Sequence, residues 1–263
     1  MSPARSRAAV IIPARLGSRR FPRKVLAKTT GKYLIQHVYE GVVGTSGVDK
    51  VIVATDSPEV EQAVRSFEGD VRMTSPEHIS GTDRVAEVAT GLDEEIIINV
   101  QGDEPLVSRD DLSRLVEALR AREEGKSPPA MATLARKRTD EEGFHDPNIV
   151  KVVLDRMGRA LYFSRSSVPH FRVLTESASS ESAPERQWLE HVGIYAFQRD
   201  FLRVFTGLPP GDLEKRERLE QLRALENGDT IEVLLTENRY AGVDTEEEYS
   251  QFVEHYRGGN VAR

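Results

Sequence analysis

The chain has 263 residues, 36 of them Lys or Arg and 43 Asp or Glu, for a net charge of −7. That balance makes non-specific nucleic-acid or anionic-membrane binding a poor fit. With no cysteine there are no disulfides, thiolate metal sites or cysteine nucleophiles, which fits a reducing cytoplasm. Hydrophobic residues make up 38% and charged residues 30%, as in soluble globular proteins with a well-charged surface, and the length allows one or two domains. The segment Met1–Arg7 is basic, but only a short apolar strand follows it. No signal peptide is therefore expected, and no apolar run approaches membrane-spanning length.

The run from Ala8 to Ile12 is apolar and stops at Pro13, the pattern of a fully buried parallel strand. The loop after it, to Lys24, carries Arg15, Gly17, Ser18, Arg19, Arg20 and Arg23. A cationic, glycine-bearing loop at the carboxyl end of a strand suits a triphosphate, through backbone N–H groups, guanidinium forks and the Lys24 point charge. The other reading of such a cluster is a solvated basic loop. Leu34, Ile35, Val38, Tyr39, Val42 and Val43 share one helical face, and Gly44 to Gly47 ends it. Val51–Ala54 is a second buried strand, and Pro58 opens a helix to Phe67 with Ser57 as N-cap. Val71–Met73 is a third strand. A polar segment, Thr74–Arg84, leads into a helix from about Arg84. Ile96–Val100 is the next buried strand, followed by a helix from Asp110 to Arg122 and a surface connection from Glu123 to Pro129. Strands and helices alternating at this spacing predict parallel βαβ units.

The second half loses that rhythm. Val150–Asp155 and Arg159–Phe163 flank Arg156-Met157-Gly158 and predict an antiparallel hairpin. Thr175–Arg186 is rich in serine, alanine and glutamate and is expected to be a mobile loop. His191–Phe197 is a strand. Asp212 caps a helix running to Asn227, with Leu219, Leu222 and Leu225 inward and Gly228 at its stop. Ile231–Leu235 is a late strand and Thr245–Tyr256 a final helix. The expected fold is α/β: a mostly parallel, Rossmann-like sheet flanked by helices, one domain over residues 1–263, with an inserted antiparallel part at about 145–200.

Acidic or polar clusters follow three predicted strands: Thr55-Asp56, Gln101-Gly102-Asp103-Glu104 and Gly242-Val243-Asp244-Thr245. Hard divalent cations take oxygen ligands, and Mg²⁺ commonly uses one or two carboxylates plus substrate phosphates. Taken alone, each aspartate reads more readily as an N-cap or turn residue, Asp244 before its Glu-rich helix most of all. The six histidines show no metal spacing. The first loop is not a Walker motif, and there is no dinucleotide fingerprint.

Taken in order, several stretches resemble one family, the 3-deoxy-manno-octulosonate (Kdo) cytidylyltransferases. They are Ile11–Arg15 with Pro22 and Lys24; Val53–Asp56; Ser80–Arg84; Asn99–Pro105; Pro147-Asn148 with Val150–Val153; Ala160–Arg165; His191–Tyr195; Leu219–Arg223; and Gly242–Thr245. Each alone is weak, but together they span almost the whole chain. The resemblance implies that CTP and Kdo give CMP-Kdo and pyrophosphate, activating the sugar for lipopolysaccharide synthesis. It implies Arg15, Lys24 and Asp103 as the catalytic set. Ala14, Gly17, Ser18, Arg20, Ser80 and Gly81 would join Arg15 and Lys24 around the nucleotide. Asp103 and Asp244 would hold Mg²⁺. Arg84, Gln101, Arg165, His191, Tyr195, Glu220 and Gln221 would surround the sugar acid, Arg165 pairing its carboxylate through two parallel N–H···O bonds. The implied partners are CTP and a 3-deoxy sugar acid, with no nucleic acid and no membrane. A cytoplasmic homodimer is implied, with the antiparallel part as sugar-binding region and interface.

Two stretches depart from the family pattern. Arg23 and Val25 stand where glycine and proline usually flank the lysine, so that Pro22-Arg23-Lys24 resembles the N-acylneuraminate cytidylyltransferases. Pro169-His170 stands where proline–tryptophan is frequent. The same chemistry on 8-amino-Kdo or an N-acylneuraminate is the nearest alternative. A nucleotide-binding module without catalysis is a remote one, since Lys24, Asp103 and Asp244 all remain.

Overall fold

The computed structural model describes residues 6–18, 20–120, 128–171 and 186–258. In chain order the elements are β1 (Ala8–Ala14), α1 (Leu34–Val42), β2 (Lys50–Thr55), α2 (Pro58–Arg65), β3 (Val71–Met73), α3 (Gly81–Thr90), β4 (Ile96–Asn99), α4 (Arg109–Arg120) and β5 (Met131–Arg138). They continue with α5 (Glu141–His145), β6 (Lys151–Leu154), β7 (Ala160–Ser164), β8 (Trp188–Gln198), α6 (Arg199–Gly207), α7 (Asp212–Glu217), α8 (Leu222–Glu226), β9 (Ile231–Thr236) and α9 (Glu246–Arg257). One sheet holds all the strands in the order β3-β2-β1-β4-β8-β5-β9, with β6 and β7 paired off its path. Pairings are parallel from β3 to β4 and between β5 and β9, and β8 runs antiparallel between β4 and β5. The expected mostly parallel α/β sheet is therefore present.

Every residue of β1 is buried, because the strand is covered on both faces. Val10 and Ile12 point to the layer of α1, α2 and α4, packing with Ile35, Val38, Val60, Leu112 and Val116. Ala9 and Ile11 point to the other layer, against Val85 and Val88 of α3 and Leu202 and Phe205 of α6. Burying each large aliphatic side chain contributes roughly 1.5–3 kcal/mol. A smaller cluster of Leu34, Val243, Tyr249, Phe252 and Val253 docks α9 on the end of the sheet where β1 finishes. Among the described residues no helix is long and apolar enough to cross a membrane.

Caps fix where the helices begin. Ser57 accepts from the Val60 amide, with Pro58 in the first turn, as expected. The helix expected from about Arg84 starts at Gly81 instead, because Ser80 and Asp83 form a reciprocal capping box. The helix expected over Asp212–Asn227 divides into α7 and α8, with Arg218 in the left-handed region (φ 53°) between them. The predicted hairpin is β6 and β7, turned at Gly158 with φ 81°. The strand expected from His191 begins three residues earlier, at Trp188. Strand β5 and helices α5 and α6 are additional to the sequence reading. Most of the expected loop at 175–186 and most of the connection at 123–129 lie outside the described residues.

Candidate active site

The carboxyl ends of β1 and β4 and the amino end of α3 meet at a cleft of about 560 Å³. Open α/β sheets bind their ligands at this position. Twelve of the residues nominated from sequence line it: Ala14, Arg15, Gly17, Ser18, Arg20, Lys24, Ser80, Gly81, Arg84, Gln101, Asp103 and Asp244. Arg15 is exposed on the cleft and forms no ion pair among the described residues. Ser80 and Gly81, at the amino end of α3, line the same space, and helix N-termini favour anions.

Lys24 is the centre of the cleft's charge. It begins a single 3₁₀ turn, Lys24–Leu26, entered through Arg23 in the left-handed region (φ 59°). Its Nζ donates to Asp103 Oδ2 at 2.5 Å and to Asp244 Oδ1 at 2.8 Å, bringing together two carboxylates that are 141 positions apart (244 minus 103). Burial works against the ammonium charge, but the two carboxylates outweigh it and the Lys24 pKa is raised. Asp244 answers in kind. Burial would raise its pKa, yet Lys24 and Arg20, the latter at 2.5 Å, hold it below its ordinary value. The Val243 amide donates to the Asp103 carbonyl at 2.8 Å, tying the two segments by backbone as well. Glu104 lies against them. Burial first, then the charges of Asp103 and Asp244, push its carboxyl up to about 8, and its Oε2 is buried without a hydrogen-bond partner among the described residues. Carboxylate oxygens gathered on one cation are the donor chemistry a hard divalent ion takes, so this set fits Mg²⁺.

From the cleft a chain of side chains leads along the sheet edge. Gln101 Nε2 donates to Asn99 Oδ1 (3.2 Å), Asn99 Nδ2 to Thr82 Oγ1 (3.4 Å), and Thr82 Oγ1 to Glu220 Oε2 (2.5 Å). Burial raises the Glu220 pKa despite these donors. In register with Asn99 stands Tyr195, whose hydroxyl pKa is raised by burial and by Glu220. His191 is next, edge-on to Phe163 at 4.8 Å and with Nε2 3.0 Å from Thr133 Oγ1; desolvation lowers its pKa and keeps the ring neutral at pH 7. It is placed by a bulge in β8: Tyr195 opposes Thr133 but Val192 opposes Leu134, so Gly193 and Ile194 are extra.

Five of the nominated sugar-acid residues lie outside the cleft lining: Arg165, His191, Tyr195, Glu220 and Gln221. Glu220, Tyr195 and His191 sit along the chain just described. Gln221 is buried nearby in sequence, with Nε2 lacking a partner among the described residues. Arg165 is committed elsewhere, donating to the carbonyls of Glu217 (2.8 Å) and Pro147 (3.0 Å). Arg84 lines the cleft, but its guanidinium binds Asp56 (3.0 Å) and Thr74. His78, paired with Glu87, lines the cleft and was not nominated; its place two residues before the capping serine of α3 was the available signal. Asn99 and Thr82, the links to Glu220, were also missed as polar connectors.

Fold and cleft together define the class, an α/β protein of the nucleotidyltransferase kind. The family model for cytidylyltransferases matches residues 9–231. The 3-deoxy-manno-octulosonate cytidylyltransferase of Syntrophotalea carbinolica is 44% identical over 248 residues, 94% of this chain and 98% of the relative. That of Geobacter sulfurreducens is 47% identical over 247 residues, 93% and 97%. The chain belongs to the 3-deoxy-manno-octulosonate cytidylyltransferase family. A solved structure of CMP:2-keto-3-deoxy-manno-octonic acid synthetase complexed with CTP matches with a TM-score of 0.86 at 39% identity, covering 97% of this chain and 100% of the other.

Proposed function

We propose that the protein transfers the cytidylyl group of CTP to Kdo, giving CMP-Kdo and pyrophosphate. The observation that carries this reading is the convergence of Lys24, Asp103 and Asp244, beside the uncommitted Arg15, at the carboxyl end of β1. The relatives' names supply the two substrates.

In this reading the triphosphate lies along Arg15, Ser18, Arg20 and Lys24 with Ser80 and the amide of Gly81 at its side. The anomeric hydroxyl attacks the α-phosphorus in line. A bond from the sugar oxygen to the α-phosphorus forms as the hydroxyl gives up its proton to water, the bond from that phosphorus to the bridging oxygen breaks, and pyrophosphate leaves with the electron pair. Because the leaving group is itself an anion, the protein's main tasks are alignment and charge neutralisation. Asp103 and Asp244 would hold Mg²⁺, whose charge offsets that of the phosphates. Lys24 is released from those carboxylates to the phosphate oxygens. Gln101, Tyr195, His191, Glu220 and Gln221 lie along the sheet edge where the sugar acid would stand. His191, being neutral, offers hydrogen bonds there rather than charge. Arg165 requires a rearrangement of its two carbonyl bonds before it can pair a carboxylate. The chain acts as one cytoplasmic domain and as a homodimer, with the antiparallel β6–β7 region as the interface.

The test is pyrophosphate release with a panel of nucleotides against Kdo, 8-amino-Kdo and N-acetylneuraminate. CTP with Kdo is expected to give the highest kcat/KM. A preference for neuraminate, to which Pro22-Arg23-Lys24 is similar, would overturn the choice of sugar; no turnover with any pair would overturn the reading altogether.

A further inference from the structure

Asp244 reaches the cleft on residues 237–244, a stretch between β9 and α9 with no helix or strand of its own. No backbone ladder runs through this stretch; its far end is held where the Asp244 amide donates to Glu248 Oε2 at 2.7 Å, and its near end is held from α4. Asp111, in the first turn of α4 and only 1% exposed, faces the start of that stretch. Its Oδ2 accepts from Thr236 Oγ1 at 2.6 Å, Asn238 Nδ2 at 2.8 Å and Tyr240 OH at 2.7 Å. Its Oδ1 accepts from Arg114 at 2.9 Å, and Arg114 donates onward to the Leu235 carbonyl at 2.9 Å. One buried carboxylate thus gathers side chains from three of five consecutive residues. Hydrogen bonds to an ionised acceptor are about twice as strong as neutral ones, and removing the acceptor strands three donors. Only three residues separate Tyr240 from Asp244, and the amide of one of them, Val243, is pinned to the Asp103 carbonyl.

We infer that Asp111 is a positioning residue that sets the reach of Asp244 to Lys24 and Asp103. Asp111 touches neither the cleft nor its carboxylates and acts wholly through residues 236–244. The inference rests on the reading of Asp244 as a cation ligand.

The experiment compares wild type with Asp111→Asn, Tyr240→Phe and Asp244→Asn, using Mn²⁺ as the probe. Binding of Mn²⁺ in the presence of CTP is followed by electron paramagnetic resonance, alongside kcat, both KM values and a thermal melt. Outer partners of metal ligands typically change affinity 10–100-fold. Asp111→Asn is therefore expected to raise the Mn²⁺ dissociation constant roughly 10-fold, with the KM for Kdo within about twofold and kcat restored at high Mn²⁺. Tyr240→Phe should give a smaller change in the same direction. A folded Asp111→Asn protein with wild-type Mn²⁺ affinity and only a lower melting temperature would overturn the inference. If Asp111→Asn does not fold, wild-type Mn²⁺ affinity in Tyr240→Phe overturns it in the same way. Unchanged Mn²⁺ binding in Asp244→Asn would instead sink the ligand assignment, a separate failure.

Discussion

Gly102 is the residue whose replacement tests the geometry of the cleft most directly. A Cβ built there lies 2.9 Å from the Pro13 carbonyl oxygen, 3.3 Å from Ile35 Cδ1 and 3.5 Å from Ala14 Cβ. Non-bonded carbon contacts settle near 3.5 Å, so Gly102→Ala requires a retreat of about 0.6 Å. Pro13 cannot supply it easily, because it sits in the fully buried central strand, in register with Ala54 of β2. The segment from Gln101 to Pro105 yields instead and takes Asp103 away from Lys24. Overpacking of this size costs about 1–3 kcal/mol. For a chain of this length that is a fall of about 2–10 °C in Tm. The catalytic effect should be larger, since a displacement approaching 1 Å costs about 100-fold in rate. Differential scanning calorimetry and pyrophosphate release, measured on the same preparation, check both. A Gly102→Ala enzyme with wild-type Tm and turnover would refute the claim that β1 and the Asp103 loop are in unyielding contact.

Three further outcomes are expected. Lys24→Met should lower kcat by about 10²–10³-fold through lost charge stabilisation, with little change in Kdo affinity; a change confined to the KM for Kdo would contradict the assigned role. Thr82→Val removes the hydroxyl between Asn99 and Glu220, and an unmade buried bond of about 1–2 kcal/mol predicts a roughly 10-fold rise in the KM for Kdo, with CTP unaffected; equal effects on both substrates would show that the chain does not lead to the sugar. Burial lowers the pKa of His37, packed between Phe252 and Tyr256, below its ordinary 6.5. The unfolded chain then takes up the proton first, so the His37 contribution to stability should fall as pH drops below about 6.5 and hold steady above it; buried His191 adds to that slope and Glu104 opposes it, so the contribution is read as the difference between wild type and variant. Urea midpoints at pH 7.5 and 5.5 measure that slope, which His37→Gln should flatten.

The parts legible in the sequence are those decided by short-range pattern. β1, β2 and β4 are uninterrupted apolar runs because helices cover both their faces, and the cap at Ser57 is a local hydrogen bond. β5 escaped because Met131–Arg138 ends in Arg136-Lys137-Arg138, which reads as a solvated segment. The strand exists through its pairing with β8 and β9, from 50 to 100 residues away, and Arg136 is satisfied by Glu190 across the strands. The motifs nominated Lys24, Asp103 and Asp244 but gave no distance between them; the contact from Lys24 to Asp244 spans 220 positions. The bulge that turns His191 toward Thr133 is a property of two strands in register, and neither strand alone announces it. The detachment of Arg165 onto the Glu217 and Pro147 carbonyls is likewise a tertiary fact.

Lys24 seated between two acids has a consequence for the protein at rest. Asp103 and Asp244 would repel one another if left alone, and the intervening ammonium supplies a resident counter-ion that keeps them as neighbours. The acidic pair is therefore assembled in advance, and in the proposed reading an arriving nucleotide would change which partner the lysine serves.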